Sequence, residues 1–200
     1  MDSDTIWQHI DTERSSLADL LESLPAAAWE QESLCEGWSV RDVGAHLTFA
    51  HARLRDVAWP AVRTGLRYNH MIRYAALHSP LTHEQIVATL RGFVGSRRRA
   101  PFVTELEPLL DILVHSQDIC VPLGIEHAMP VDAAVAAADR VLRLRGPMRL
   151  WAQPSGVRLV ATDADWAYGD GAEQKAPIQS HLLTLTGREG ASSKASSATP

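Results

Sequence analysis

Hydrophobic positions recur at helical spacing along most of the first 145 residues. Apolar side chains three and four positions apart predict helices in six segments: 4–24, Val40 to Val57 or Pro60, part of 61–80, Thr82 to about Val94, Glu107–Cys120 and Val131–Arg145. Ser39 with Asp42 three residues later is a signal for a helix start, and prolines and glycines separate the segments. This part of the chain is predicted to be a helical bundle.

The hydrophobic period changes after Gly146-Pro147. Val157–Ala161 and 164–168 are typical of short strands, and Pro177 to Thr186 predicts a final short helix. The fold class is therefore predicted to be mainly α, a four-helix bundle with a small C-terminal α/β appendage. We expect the bundle over residues 1–147, the appendage over 148–188 and a disordered tail over 189–200.

Composition and charge narrow the class of partner. The chain has 200 residues, of which 46% are hydrophobic and 22% charged, and its net charge of -5 argues against nucleic acid as a partner. No apolar run is long enough for a membrane span, and no signal peptide opens the chain, so we expect a cytoplasmic protein without a membrane partner. Two cysteines form no disulfide framework. Cys35 in a loop is a candidate nucleophile, whereas Cys120 at a helix end is expected to pack.

Asp111 and His115 lie four residues apart in an apolar stretch, which places them on one face of a helix. His46 lies in another predicted helix. Two imidazoles and one carboxylate suit a divalent metal such as zinc, iron, nickel or manganese, with positions left open for chemistry. The residues alone leave two interpretations open. The three side chains form a metal site, or their spacing is accidental and each has an ordinary surface or core role.

The sequence gives separate predictions for Asp118, His51 and His181. Asp118, three residues after His115, is predicted either to accept a hydrogen bond from that ring or to be a plain surface charge. His51 is turned away from His46 on a helix and is not expected to be a ligand. His181 lies near the final helix, and a role at the site entrance has no support in the sequence.

Two motifs carry a family resemblance. Cys-Glu-Gly-Trp-Ser-Val-Arg-Asp-Val-Gly-Ala-His-Leu, residues 35–47, resembles the signature Cys-x-Gly-Trp-Ser/Thr-Val-Arg/Lys-Asp-Val/Leu-x-x-His-Leu of the mycothiol-dependent maleylpyruvate isomerase family. Asp-Ile-Leu-Val-His-Ser-Gln-Asp, residues 111–118, is similar to its second motif, Glu-Leu-x-x-His-Arg-x-Asp. Residues 156–166 and 182–188 resemble the family's appendage, so the resemblance covers about residues 5–188.

The resemblance implies a DinB-like four-helix bundle in which His46, Asp111 and His115 bind a divalent metal, usually zinc. It also implies mycothiol, the small thiol of actinobacteria, as co-substrate in isomerisation or S-transfer on a small electrophilic substrate. Two residues depart from the pattern, because Asp111 stands where Glu is usual and Gln117 where Trp is common.

The sequence leaves several alternatives open. Alternative functions are a metal-activated-water hydrolase and a non-catalytic bundle that binds a small ligand. The oligomeric state is monomer or homodimer. An arginine that pairs with a substrate carboxylate is expected, but the sequence does not distinguish among the candidates Arg53, Arg55, Arg67 and Arg73.

Overall fold

The computed structural model describes residues 1–51, 68–99, 103–144 and 155–188. Its helices are α1 (Ser3–Ser23), α2 (Ala26–Trp29), α3 (Val40–Leu47), α4 (Tyr68–Leu77), α5 (His83–Gly92), α6 (Leu106–Cys120), α7 (Val131–Arg143) and α8 (Ile178–Leu185). Its strands are β1 (Val157–Ala161), β2 (Ala167–Tyr168) and β3 (Ala172–Ala176). The predicted fold class, mainly helical with a small C-terminal α/β region, is confirmed.

Local signals set the start of α3. The Ser39 hydroxyl accepts a hydrogen bond from the Asp42 N–H, and the Asp42 carboxylate accepts one from the Ser39 N–H, which forms a capping box. The regular helix ends at Leu47 and continues as a 3-10 turn over Thr48–His51, so it is shorter than the periodicity predicted. Residues 52–60, which the prediction also included, lie outside the described residues.

The described residues form two hydrophobic cores, one on either side of α6. The bundle core packs the C-terminal half of α1 against α3, α5 and α6, through Leu17, Leu21, Val40, Val43, Ile86, Leu90, Ile112 and Ile119. The second core joins the N-terminal half of α1 and α6 to α7, β1 and α8, through Ile6, Ile10, Leu109, Leu113, Ala134, Ala138, Leu159, Ile178 and Leu182. The helix α6 therefore contributes to both cores and has a third face left for polar residues.

The C-terminal sheet differs in detail from the prediction. Among the described residues it has three strands in the order β2-β1-β3, with β1 antiparallel to β2 and parallel to β3. The strand predicted at 164–168 is reduced to Ala167–Tyr168, and β3 was not predicted. The sequence of β3, Ala-Glu-Gln-Lys-Ala, is mostly exposed and lacks the apolar alternation that marks a strand. Similarly, the short helix α2 lies between the first two predicted helices, where no helix was predicted.

The predicted domain boundary between residues 147 and 148 and the predicted tail over 189–200 lie outside the described residues and stay predictions. Within the described ranges, no helix is both long and apolar enough to cross a bilayer.

Candidate metal centre

The structure brings His46, Asp111 and His115 together between α3 and α6. One Asp111 oxygen, Oδ1, lies 3.5 Å from Nε2 of His46 and 3.4 Å from Nε2 of His115. The two imidazole rings meet edge to face, with centroids 4.7 Å apart. The i, i+4 spacing on α6 thus produces the predicted shared face, and the packing of α3 supplies the third side chain.

These separations fit a metal better than direct hydrogen bonds. An N–H···O hydrogen bond is normally about 2.7–3.2 Å long, so contacts of 3.4 and 3.5 Å are long for one. Ligand atoms about 2.0–2.1 Å from a tetrahedral zinc lie about 3.3–3.4 Å from one another, which is close to the observed spacing. The three ligand atoms lie within 4.8 Å of one another. Asp111 is 39% exposed, which leaves one side of the cluster open to incoming molecules.

The charges at the site also favour a cation. Burial alone would raise the pKa of Asp111, but the neighbouring His46 and His115 outweigh it and the pKa falls well below its usual range. Burial likewise opposes a charge on His115, yet Asp111 and Asp118 raise its pKa well above the ordinary value. A protonated His115 must release its proton before its ring binds a metal, so metal and proton compete for this nitrogen.

Asp118 lies behind His115. Its Oδ2 is 2.7 Å from Nδ1 of His115, and its side chain is fully buried. The predicted hydrogen-bond acceptor role is therefore confirmed, and the alternative, a plain surface charge, is wrong. A hydrogen-bonded carboxylate on the second nitrogen is the usual support of a metal-binding histidine.

Two residues distant in sequence complete this cluster. The Arg188 guanidinium donates to both Asp118 oxygens, from Nε to Oδ1 at 2.9 Å and from a terminal nitrogen to Oδ2 at 2.6 Å. The Cys35 thiol donates to Oδ2 at 3.0 Å and lies 3.9 Å from Nδ1 of His115. Burial would lower the pKa of Arg188, but Asp118 outweighs it and raises the pKa.

Cys35, His115 and Asp118 are also close enough to one another to bind a metal. The cation position beside them is, however, already taken by Arg188, whose terminal nitrogen lies 3.5 Å from the Cys35 sulfur. A divalent ion there would be repelled by the guanidinium at short range. The cluster of His46, Asp111 and His115 is thus the better candidate of the two.

His46 has different surroundings. Its ring meets Trp38 edge to face at 5.6 Å and Phe49 at 6.2 Å between centroids. Its Nδ1 is buried and has no hydrogen-bond partner in the part of the chain that the structure describes. Around Nδ1 of this ring the described residues supply aromatic packing and no charged acceptor.

The other histidines and cysteine considered from the sequence lie elsewhere. His51 packs on Phe93 at 3.7 Å between ring centroids, and burial, aided by nearby arginines, lowers its pKa to about 4. His181 is buried and hydrogen-bonds the Val160 carbonyl at 2.9 Å, so it does not line a site entrance. Cys120 packs in the interior, where burial raises its pKa to about 12.

Sequence reasoning missed the role of Arg188. In the sequence Arg188 ends a segment that resembles the family's appendage, and no local spacing links it to Asp118, 70 positions earlier. Of the arginines considered instead, Arg73 donates to the Glu36 carbonyl at 2.9 Å. Arg53, Arg55 and Arg67 lie outside the described residues.

The fold and the cluster together define a class of protein, a helical bundle with a small α/β region and a two-histidine, one-carboxylate candidate metal centre. Residues 10–104 match the family model described as mycothiol maleylpyruvate isomerase N-terminal domain. The mycothiol-dependent maleylpyruvate isomerase family, predicted from the two motifs, is thereby confirmed as the family that this chain resembles.

Solved structures agree with this assignment at the level of the fold. The crystal structure of the mycothiol-dependent maleylpyruvate isomerase has a TM-score of 0.60 and 15% identity, and covers 94% of this chain and 90% of that chain. A histidine-to-alanine mutant of that enzyme has a TM-score of 0.59 and 13% identity, with the same coverage. No curated protein sequence matches the chain.

Proposed function

We propose that this protein is a metal-dependent enzyme that uses mycothiol for cis-trans isomerisation of a small electrophilic substrate, or for S-transfer, in which the mycothiol sulfur forms a bond to that substrate. His46, Asp111 and His115 hold the divalent metal in this proposal, with zinc the first expectation. The observation that carries it is the spacing of 3.4 and 3.5 Å around Asp111 Oδ1, in a cluster at the positions that the family motifs indicate. The family match over residues 10–104 supports the thiol.

The donor set determines what the site can do. A divalent metal with two neutral imidazoles and one carboxylate keeps a net positive charge and open positions, and it lowers the pKa of a thiol or water bound there. Asp111 is ionised and partly exposed, so it can contribute a negative charge without closing the site. Asp118 holds the proton on Nδ1 of His115, which leaves Nε2 of a neutral ring for binding.

The reaction follows from the chemistry of a thiolate and a conjugated double bond. The thiolate sulfur forms a bond to one alkene carbon, and the electron pair of the double bond moves into the adjacent carbonyl group. The former double bond is then single and rotates. Loss of the thiolate restores the double bond with the opposite geometry, so the thiol is regenerated. For S-transfer, the adduct instead takes up a proton and leaves as product.

The test starts from metal content. We expect about one equivalent of metal in the purified protein and a loss of most of it in His46→Ala and in His115→Ala, measured by elemental analysis. His9→Ala is the matched control, because His9 also pairs with a carboxylate, Asp132 at 3.0 Å, but on the surface. If the wild-type protein contains no metal and a chelator does not change its stability, the metal centre is ruled out.

Activity assays then separate the functions. Maleylpyruvate and a panel of small electrophiles are incubated with the protein, with and without mycothiol. Product formation that requires mycothiol supports the proposal. Hydrolysis without thiol would point instead to a metal-activated water, and metal binding with no turnover would point to a non-catalytic bundle.

A further inference from the structure

One buried oxygen atom receives donors from three separate parts of the chain. Oδ2 of Asp118 on α6 is 2.7 Å from Nδ1 of His115, on the same helix. It is 3.0 Å from the sulfur of Cys35, in the loop before α3, and 2.6 Å from a terminal nitrogen of Arg188, after α8. The second oxygen, Oδ1, accepts from Nε of Arg188 at 2.9 Å.

These contacts stabilise the ionised form of the Asp118 carboxylate and fix its orientation. An ionised carboxylate only accepts hydrogen bonds, and the described residues place three donors around Oδ2 and one at Oδ1. The bidentate contact with Arg188 is the geometry that orients a carboxylate most strongly. Asp118 is fully buried, so water does not compete for these positions.

The direction of Asp118 determines which nitrogen of His115 is available. The ionised carboxylate only accepts hydrogen bonds, so Nδ1 of His115 carries a proton. In the neutral ring Nε2 then holds the lone pair, and Nε2 is the nitrogen that lies 3.4 Å from Asp111 Oδ1. Asp118 therefore selects both the tautomer and the orientation of the ring that faces Asp111.

We propose that Asp118 is a positioning residue for the metal, and that Arg188 and Cys35 hold it in this role. The proposal rests on the metal centre of the proposed function. It makes the metal affinity of the helical bundle depend on the C-terminal region, because Arg188 follows α8. By linkage, metal bound at His115 also stabilises the contact between Arg188 and Asp118.

The test measures the binding of Co²⁺ alone to the metal-free full-length protein, through its visible absorption spectrum and by competition with a chelator. We expect Asp118→Asn to weaken Co²⁺ binding about 10–100-fold and to change the spectrum, since an amide no longer enforces one tautomer. Arg188→Gln is expected to weaken binding less, and Arg188→Lys, which keeps the charge, to recover part of the loss. Arg140→Gln is the matched control, because it removes the ion pair with Glu107 on the same helix α6.

A second variant guards against a folding defect. Asp118→Asn removes the carboxylate that pairs with the buried Arg188 charge, so Asp118→Asn/Arg188→Gln, which removes both charges of this ion pair, is measured beside it. The double variant is expected to bind Co²⁺ as weakly as Asp118→Asn, with the control within about twofold of the wild type. An unchanged affinity and spectrum in either folded Asp118 variant would overturn the positioning role.

The outcomes also separate this inference from the proposed function. Wild-type protein that binds no Co²⁺ overturns both. Tight binding by the wild type with an unchanged Asp118→Asn overturns the positioning role alone. Weakened binding in Asp118→Asn, in a protein whose wild type shows no thiol-dependent chemistry, supports the positioning role and overturns the proposed function.

Discussion

The two histidines of the candidate metal centre are held by different forces. His115 has a buried carboxylate behind it, with Asp118 Oδ2 2.7 Å from its Nδ1. His46 has Trp38 and Phe49 around it instead, and its buried Nδ1 has no partner among the described residues. Both rings face Asp111, but behind Nδ1 the described residues give one imidazole a carboxylate and the other aromatic packing. The two halves of the site should therefore respond differently to substitution.

The contrast between His115 and His46 corresponds to the two helices that carry them, α6 and α3. Asp111, His115 and Asp118 occupy successive turns of α6, so a single helix supplies two candidate ligands and the acceptor behind one of them. The helix α3 supplies only His46, and its position relative to α6 is set by the hydrophobic core between them. The α6 half is built by local spacing and ion pairing, whereas the α3 half depends on tertiary packing.

Asp118→Ala should have the largest effect on the stability of the metal-free protein. It leaves the Arg188 guanidinium, only 10% exposed, without its carboxylate, and breaking such a pair costs about 3–5 kcal/mol of the free energy of unfolding. His46→Ala, on the packing side, should cost about 1–2 kcal/mol, since it mainly removes contacts with aromatic rings. Denaturant unfolding of both variants gives the comparison. Equal losses would contradict the contrast between the two histidines.

Asp111→Glu tests the carboxylate that lies between the two histidines. Asp111 Oδ1 is almost equidistant from the two Nε2 atoms, at 3.5 and 3.4 Å, so the shorter carboxylate already matches the gap between α3 and α6. An added methylene extends the side chain by about 1.5 Å and should weaken metal binding about tenfold, measured by chelator competition.

The control for this substitution is Asp132→Glu, a surface carboxylate that pairs with His9 and should leave metal affinity unchanged. Tighter binding by Asp111→Glu would mean that Asp111 is too short for its position. The usual glutamate of the family would then be the better ligand in this chain as well.

Local sequence signals predicted those helix boundaries that are set by contacts between neighbouring residues. The capping box at Ser39 and Asp42 marked the start of α3, and Pro108 in the first turn is compatible with the start of α6 at Leu106. The polar strand β3 was missed, because its pairing with β1 rather than its own pattern makes it a strand.

Local sequence patterns also predicted only part of the candidate site. The spacing of Asp111 and His115 is local and was visible in the sequence, but the distance to His46 depends on how α3 packs on α6. The contacts of Asp118 with Cys35 and Arg188 span 83 and 70 positions, and no periodicity encodes contacts at such separations. Family resemblance supplied the third ligand, but it assigned no role to Arg188.

Gly37→Ala should have the smallest effect, and it acts on the aromatic packing around His46. Gly37 has a φ of 68°, a left-handed conformation that costs alanine about 1 kcal/mol, and it precedes Trp38, which packs on His46. An added Cβ would also lie 2.8 Å from the Arg73 guanidinium, which holds the Glu36 carbonyl. We expect a loss of about 1–2 kcal/mol in stability and a few-fold loss in metal affinity.

Gly124→Ala is the matched control, because Gly124 has a φ of 66° and, its two chain neighbours aside, no atom of the described residues lies within 4 Å of an added Cβ. It should reproduce the backbone cost in denaturant unfolding but leave Co²⁺ affinity unchanged, since no contact among the described residues connects Gly124 to His46. If both variants bind Co²⁺ like the wild type, the loop before α3 does not help to position His46. Packing by the core residues of α3 alone would then hold that half of the site.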